Sequence, residues 1–236
     1  AISKAKELGV SSCVIPTAGN AGGAMSAYCA AAGMKATVIM PSHTPKSFQN
    51  ECKFYGAKLI LVDGLIDKCG ELAASISKET GAFNMSTLKE PYRLEGKKTM
   101  GFEIAEQMNW DLPDVIIYPT GGGTGLIGIW KAFHEMQAMG WLSNRKVPRM
   151  VVVQSKKCAP MVDFINGNTT YFPYGESKAN GLAVPVAFGQ DLIKRVITES
   201  KGHVVAIDES LILKAAVELS RLEGISFSPE GAATWC

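Results

Sequence analysis

The sequence predicts an α/β fold: open, mostly parallel sheets covered by helices on both faces and divided between two lobes. Three observations predict it. Short apolar runs alternate with longer helical patterns along the whole chain. The runs are continuously apolar, as strands buried on both faces should be. The segments joining them are long enough for crossover helices, which parallel strands need.

Each element has a local reason. Ala1–Leu8 reads as a helix, and Ser12–Pro16 (SCVIP) is the first apolar run. Asn20–Ala32 is Ala-rich and stops at Gly33, a natural C-cap. Ala36–Met40 (ATVIM) is the second strand, ended by Pro41. Thr44–Tyr55 reads as a helix, with Thr44 as its cap, Pro45 at its first position and Gly56 as its stop. Lys58–Val62 (KLILV) is the third strand and Leu65–Glu79 the next helix. The region from Phe83 to Thr99 is polar, holds Pro91 and shows no period, before Lys98–Met108 resumes a helix. Val115–Tyr118 (VIIY) is a strand, followed by a glycine cluster and the helix Leu126–Met139. Met150–Val153 (MVVV) is a strand, Asn166–Pro185 a long loop, Val204–Ile207 a strand and Glu209–Leu222 a helix. Residues 10–95 are expected to form a smaller βα lobe, and residues 1–9 with 96–236 the larger one.

Composition bounds the function. In 236 residues, a hydrophobic fraction of 47% with 19% charged residues excludes wholesale disorder. Lys plus Arg number 24 and Asp plus Glu 22, too even a balance for a dedicated nucleic-acid or polyanion binder. No apolar run reaches membrane-spanning length and none reads as a signal peptide, so neither nucleic acid nor membrane is an expected partner. The six cysteines contain no CxxC pair. Cys13, Cys29 and Cys69 lie in apolar patterns and read as buried free thiols in a reducing, cytoplasmic compartment. Cys158 follows two lysines and is expected to be exposed. His43, His134 and His203 lack metal-ligand spacing, so no metal is expected. Met108, Trp130, Met136 and Met139 read as core.

Ligands of such sheets sit at the carboxyl ends of strands, which directs attention to the turns after them. Thr17-Ala18-Gly19-Asn20-Ala21-Gly22-Gly23 joins a strand to a helix. Its small residues let a backbone approach a ligand, and the helix start offers free N–H groups. A plain turn with Asn20 as N-cap is the other reading. Thr120-Gly121-Gly122-Gly123-Thr124-Gly125 also joins strand to helix. A tight turn needs one or two glycines, and phosphate cradling by successive N–H groups explains the excess. Gly123, Gly125 and Gly128 also fit GxGxxG, but the next strand is followed by Gln154-Ser155-Lys156, with no acid to hold a ribose. Arg93, in a basic loop entering a helix, has the chemistry to grip a phosphate or carboxylate, or else marks a solvated helix start.

PTAGNAG before an Ala-rich helix, then GGGTG, with Glu90–Gln107, Pro119–Phe133, Ala179–Gly189 and SPEGAAT (Ser228–Thr234), resembles the tryptophan-synthase-β-like (fold type II) family of pyridoxal-phosphate enzymes, and within it the threonine synthases. The resemblance implies pyridoxal 5'-phosphate as cofactor. It implies that Thr17, Gly19 and Asn20 lie along the cofactor ring, with the Asn20 amide at the phenolic oxygen. Gly121, Gly122, Gly123, Thr124 and Gly125 then bind the cofactor phosphate, and Glu230 falls near the ring. Ser86, Thr87 and Arg93 lie in the stretch used near the substrate phosphate. The implied reaction takes O-phosphohomoserine and water to threonine and phosphate, with the cofactor as electron sink. The implied partners are an amino-acid substrate and a second copy in a homodimer. The GGGTG cluster equally resembles serine and threonine ammonia-lyases, and a non-catalytic ligand-binding module or partner subunit is the alternative of another class. The family's Schiff-base lysine stands in a motif of the type PTGSFKDRG, which this chain lacks. Lys4 and Lys6 read as surface positions. Both ends read as cut, and the expectation is an inactive fragment with no catalytic residue of its own.

Overall fold

The structure is a computed structural model that describes residues 1–143, 146–168, 174–175, 177–186 and 189–236. It divides into two units, Ala1–Arg93 and Leu94–Cys236.

The first unit runs α1 (Ile2–Glu7), β1 (Ser12–Pro16), α2 (Asn20–Ala32), β2 (Lys35–Pro41), α3 (Lys46–Phe54), β3 (Lys58–Val62), α4 (Ile66–Thr80) and β4 (Phe83–Asn84). Its sheet has the order β3-β2-β1-β4, and every pairing is parallel. Alternate strand residues serve opposite faces, as the pleat requires. Cys13, Ile15, Val38 and Met40 pack with Ile2 and Ala5 of α1, Met25 and Cys29 of α2, and Cys52 of α3. Val14 and Ile39 pack with Cys69 and Ala73 of α4. Helices therefore cover both faces, as continuously apolar strands demand. Burying Ile2 and Ala5 in this core puts residues 1–9 with the first unit, not with the larger lobe where the sequence had them.

The second unit runs α5 (Tyr92–Gln107), β5 (Val115–Pro119), α6 (Thr124–Met139), β6 (Arg149–Ser155), α7 (Pro160–Ile165), a single 3-10 turn (Asn180–Leu182), α8 (Gln190–Glu199), β7 (His203–Ile207), α9 (Glu209–Glu223) and α10 (Pro229–Ala232). Its sheet is β5-β6-β7, again parallel. α6 is buried along most of its length, from Leu126 to Met136. It meets α5 closely: a Cβ on Gly101 would lie 2.6 Å from that of Ala132, and one on Gly128 would lie 2.8 Å from that of Lys97. Lys98 bridges the same pair of helices, binding Glu95 at 2.5 Å and Glu135 at 2.7 Å. On one side of the sheet Val153 packs with Ala179, Leu182, Ile212 and Ala233.

Several elements differ from expectation. α5 starts at Tyr92 rather than Lys98, because the Glu90 carboxylate accepts from the N–H groups of Tyr92 at 2.6 Å and Arg93 at 3.1 Å and so caps the helix. β4 is two residues long, too short for a periodic signal, and pairs with β1. α3 starts at Lys46 with Pro45 as N-cap, while the buried Thr44 hydroxyl has no partner and the Thr44 carbonyl accepts from Gln49 Nε2 at 2.7 Å. α7, α8 and α10 were not anticipated. Of these α8 has a readable pattern, with Ile193, Val196 and Ile197 buried at helical spacing. Part of the Asn166–Pro185 loop lies outside the described residues. Cys158 is buried, not exposed, and burial pushes its thiol up to about 12. Met108 and Met139 are exposed, whereas Trp130 and Met136 are core. Cys13, Cys29 and Cys69 are buried free thiols. Among the described residues no helix is long and apolar enough to cross a membrane.

Candidate functional site

The turn after β1 is made of small residues held by its own threonine. Thr17 is buried, and its N–H donates to Ile39 at 2.9 Å, extending the β1–β2 ladder by one residue. Its hydroxyl accepts from the Gly19 N–H and lies at the same 3.2 Å from the Gly19 carbonyl. Gly19, not Asn20, is the N-cap of α2, so the plain Asn-capped turn does not hold. Asn20 is the exposed first helical residue. No side chain caps α2 and no acidic residue occupies its first turn. A Cβ on Gly19 would meet nothing within 4 Å. The absence of a side chain there leaves open space beside an uncapped helix start.

The turn after β5 is built differently. The Thr120 N–H donates to Val153 at 2.9 Å, again extending a ladder. Gly123 has φ +85° and is the N-cap of α6. A Cβ on Gly121 would lie 2.2 Å from the carbonyl oxygen of Gly181, and one on Gly125 would lie 2.0 Å from the phenol oxygen of Tyr118. One on Gly123 would lie 2.5 Å from Ile193. Packing within the unit therefore accounts for three of the four glycines, and the turn's own backbone conformation for one of those as well. The helix start nonetheless carries no negative charge that would compete with an anion. No side chain caps α6, its first turn has no acidic residue, and the buried Thr124 begins it. Such an N-terminus, at the head of a sixteen-residue helix, presents N–H groups and a positive dipole end.

A residue that sequence reasoning passed over holds this turn from below. Gln154 is wholly buried. Its Nε2 donates to the Thr120 carbonyl at 3.1 Å, and its Oε1 accepts from the Met161 N–H at 2.9 Å. One amide thus anchors the turn and caps α7. The only sequence signal was a polar residue at the end of an apolar strand.

Ser86 is buried, and both its N–H and its hydroxyl donate to the Asn84 side-chain oxygen, at 2.9 and 2.5 Å. Thr87 is half-buried beside it, and Leu88 has φ +58°, a strained value for leucine. Arg93 Nη1 donates to the Met85 carbonyl at 2.7 Å. Burial lowers the pKa of its guanidinium and the nearby Glu90 raises it. Arg93 is therefore a strut of the 85–93 loop rather than part of a solvated helix start. Glu230 Oε1 accepts from the Gly181 N–H at 2.8 Å.

Within the first unit Thr17, Gly19 and Asn20 share one turn, and Ser86 and Thr87 share one loop, to which Arg93 at the start of α5 is tied through the Met85 carbonyl. Within the second, Gly121–Gly125 and Glu230 both meet Gly181. Among the described residues no group of three His, Cys, Asp or Glu residues could hold a metal ion.

The family described as pyridoxal-phosphate dependent enzyme matches residues 1–235. The threonine synthases of Methanocaldococcus jannaschii and Methanosarcina acetivorans are each 30% identical to 99% of this chain, which spans 58% of their length. Among solved structures, maize serine racemase aligns with a TM-score of 0.78 at 22% identity, covering 97% of this chain and 66% of that one. The processed form of threonine deaminase isoform 2 from Solanum lycopersicum aligns at 0.75 and 19% identity, covering 96% and 63%. These structures share the fold. The match across both units shows that the chain belongs to the pyridoxal-phosphate dependent enzymes, whose cofactor is pyridoxal 5'-phosphate.

Proposed function

We propose that this chain is the cofactor-binding portion of a threonine synthase. The observation that carries the reading is the 30% identity to threonine synthases over almost every residue of the chain. The uncapped start of α6 suits the cofactor's anionic end. Gly121, Gly122, Gly123, Thr124 and Gly125 hold its phosphate through backbone N–H groups, with the α6 dipole favouring the negative charge. Thr17 fixes the turn in which Gly19 leaves room for the ring, and Asn20 offers its amide to the ring oxygen. When bound, pyridoxal phosphate supplies an electron sink for the substrate's amino-acid carbons.

Ser86, Thr87 and Arg93 take the substrate phosphate. Arg93 keeps one nitrogen on Met85, which orients the fork, and presents its remaining donors to the phosphate oxygens. The net reaction is loss of phosphate from O-phosphohomoserine and addition of water, giving threonine. None of the chain's lysines stands in the family's Schiff-base motif, so its own residues are assigned binding and orientation, and no proton transfer. A homodimer in the cytoplasm completes the reading, and a monomer by light scattering would remove the first part of it.

Titration of this chain with pyridoxal 5'-phosphate, followed by visible absorbance, is expected to show saturable binding without an imine reducible by borohydride. Assayed as the full gene product, the protein is expected to release phosphate from O-phosphohomoserine. Release of an oxoacid from threonine would assign it to the ammonia-lyases instead. Cofactor binding with neither activity would make it a non-catalytic module.

A further inference from the structure

We propose that Glu230 is a positioning residue for the turn Gly121–Gly125, acting through the backbone of Gly181 and not through the cofactor ring. The proposal rests on the reading that this turn holds the cofactor phosphate.

Glu230 stands in the first turn of α10. Ser228 caps that turn by accepting from the Gly231 N–H at 3.2 Å, and Pro229 sets its first position. The side chain lies along Gly181: a Cβ there would sit 3.2 Å from Glu230 Cγ and from Oε1. Oε1 accepts the Gly181 N–H at 2.8 Å, a charge-assisted bond. The carbonyl at the other end of the same residue faces Gly121 so closely that a Cβ on Gly121 would lie 2.2 Å from it. Val184 closes on the same position, its Cγ2 3.0 Å from that Cβ. A continuous chain of contacts thus runs from carboxylate to N–H, through one residue's backbone, to the Cα of the turn's first glycine.

A second carboxylate fixes the segment upstream. Glu209 accepts from the hydroxyls of Ser155 and Ser177 and from the Lys178 N–H at 3.1 Å. Ala179, between these two attachments, and Leu182, just after the second, are buried in the core. The stretch from Ser177 to Val184 is therefore a tethered platform, with Gly181 the residue that touches the turn. Removing the Glu230 acceptor frees that residue where the turn leans on it. An amide keeps the acceptor, so Glu230→Gln preserves the contact chain without the charge.

The test is amide hydrogen exchange of the ligand-free chain in E230A and E230Q, paired with titrations by pyridoxal 5'-phosphate and by pyridoxal, which has no phosphate. In E230A the segment around Gly121–Gly125 is expected to exchange about tenfold faster, the ratio for one lost hydrogen bond. Pyridoxal 5'-phosphate is expected to bind more weakly by a similar factor, with pyridoxal unaffected. E230Q is expected to restore both. Unchanged exchange at the turn in E230A, or equal weakening of both ligands, would overturn the proposal. If the unsubstituted chain binds neither ligand, the cofactor reading fails while the exchange result still decides the role of Glu230. If E230A does not fold, E230D, which withdraws the carboxylate by one methylene, serves in the same measurements.

Discussion

The turn after β1 and the turn after β5 have similar composition, both follow a parallel strand, and neither helix start has a side-chain cap or an acidic first turn. They use glycine for different reasons. At Gly19 a side chain would meet open space, while at Gly121 it would strike the Gly181 carbonyl at 2.2 Å. In the first turn the missing side chain leaves room for something outside the protein. In the second it lets the protein pack against itself, and that packing in turn shapes the N–H groups at the head of α6. The division is not complete, because Gly22, one turn into α2, is also packed, with Thr17, Val38 and Met40 all within 3.0 Å of a Cβ. Glycine content alone therefore does not distinguish a ligand-facing turn from a closely packed one.

The largest effect is expected at Gly121. In G121A the obstacle is backbone, which yields less readily than a side chain, and the variant should lose about 3 kcal/mol, the upper end of overpacking costs. Urea unfolding measures it; a loss near zero would mean that the Gly181 contact relaxes freely and would erase the contrast between the turns.

Gln154→Ala comes next. It leaves the Thr120 carbonyl and the Met161 N–H buried without their partner, a cost of about 2 kcal/mol, because each orphaned group loses its hydrogen bond away from water. The same unfolding experiment reads it, and faster exchange at Thr120–Gly125 should accompany the loss.

The platform beneath the second turn should weaken in acid. Burial raises the pKa of Glu209, but the bonds from Ser155, Ser177 and Lys178, with the charge of Lys157, lower it to a net value below the ordinary 4.5. A depressed carboxylate stabilises the fold above its unfolded pKa and loses that contribution as pH falls through the folded one. The urea midpoint of the unsubstituted chain should therefore drop more between pH 5 and pH 3 than that of E209Q, about 1 kcal/mol of difference at most for so partly exposed a group. Parallel pH profiles would show that Glu209 carries no such bond energy.

The smallest change in stability, and the sharpest for the comparison, belongs to Gly19→Ala. Its backbone is extended and its surroundings are open, so stability should move by no more than about 0.5 kcal/mol. On the proposed reading, binding of pyridoxal 5'-phosphate should nevertheless be weakened, because the methyl group would enter the space assigned to the ring. A stable variant with unimpaired binding would remove the first turn from the site.

Much of the fold was legible because its causes are local. The bounds of β1, α2 and β3 coincide with those read from apolar runs and from Gly33, which takes φ +69° as a C-cap. α7 and α10 escaped notice because they are one or two turns long, and a short helix has too few residues for a period. The start of α5 was misplaced because its cap is a buried glutamate on the far side of a proline, not the serine, threonine or aspartate that usually marks a helix start. The two candidate turns were legible for the same reason: glycine clusters after apolar runs stand out in any sequence, whereas what such a turn binds depends on groups far apart in the chain.

By itself the sequence determined the longer strands and most of the longer helices, the parallel sheets and the turns at which to look, since periodicity, caps and breakers act over a few residues. Only the tertiary structure decided what each glycine is for. It tied Gln154 to Thr120, tethered Ser177–Val184 between two carboxylates, and placed Glu230 against Gly181. Those contacts join residues up to 49 apart in the chain, and their strength depends on burial and on distances of a few ångströms that no local pattern encodes.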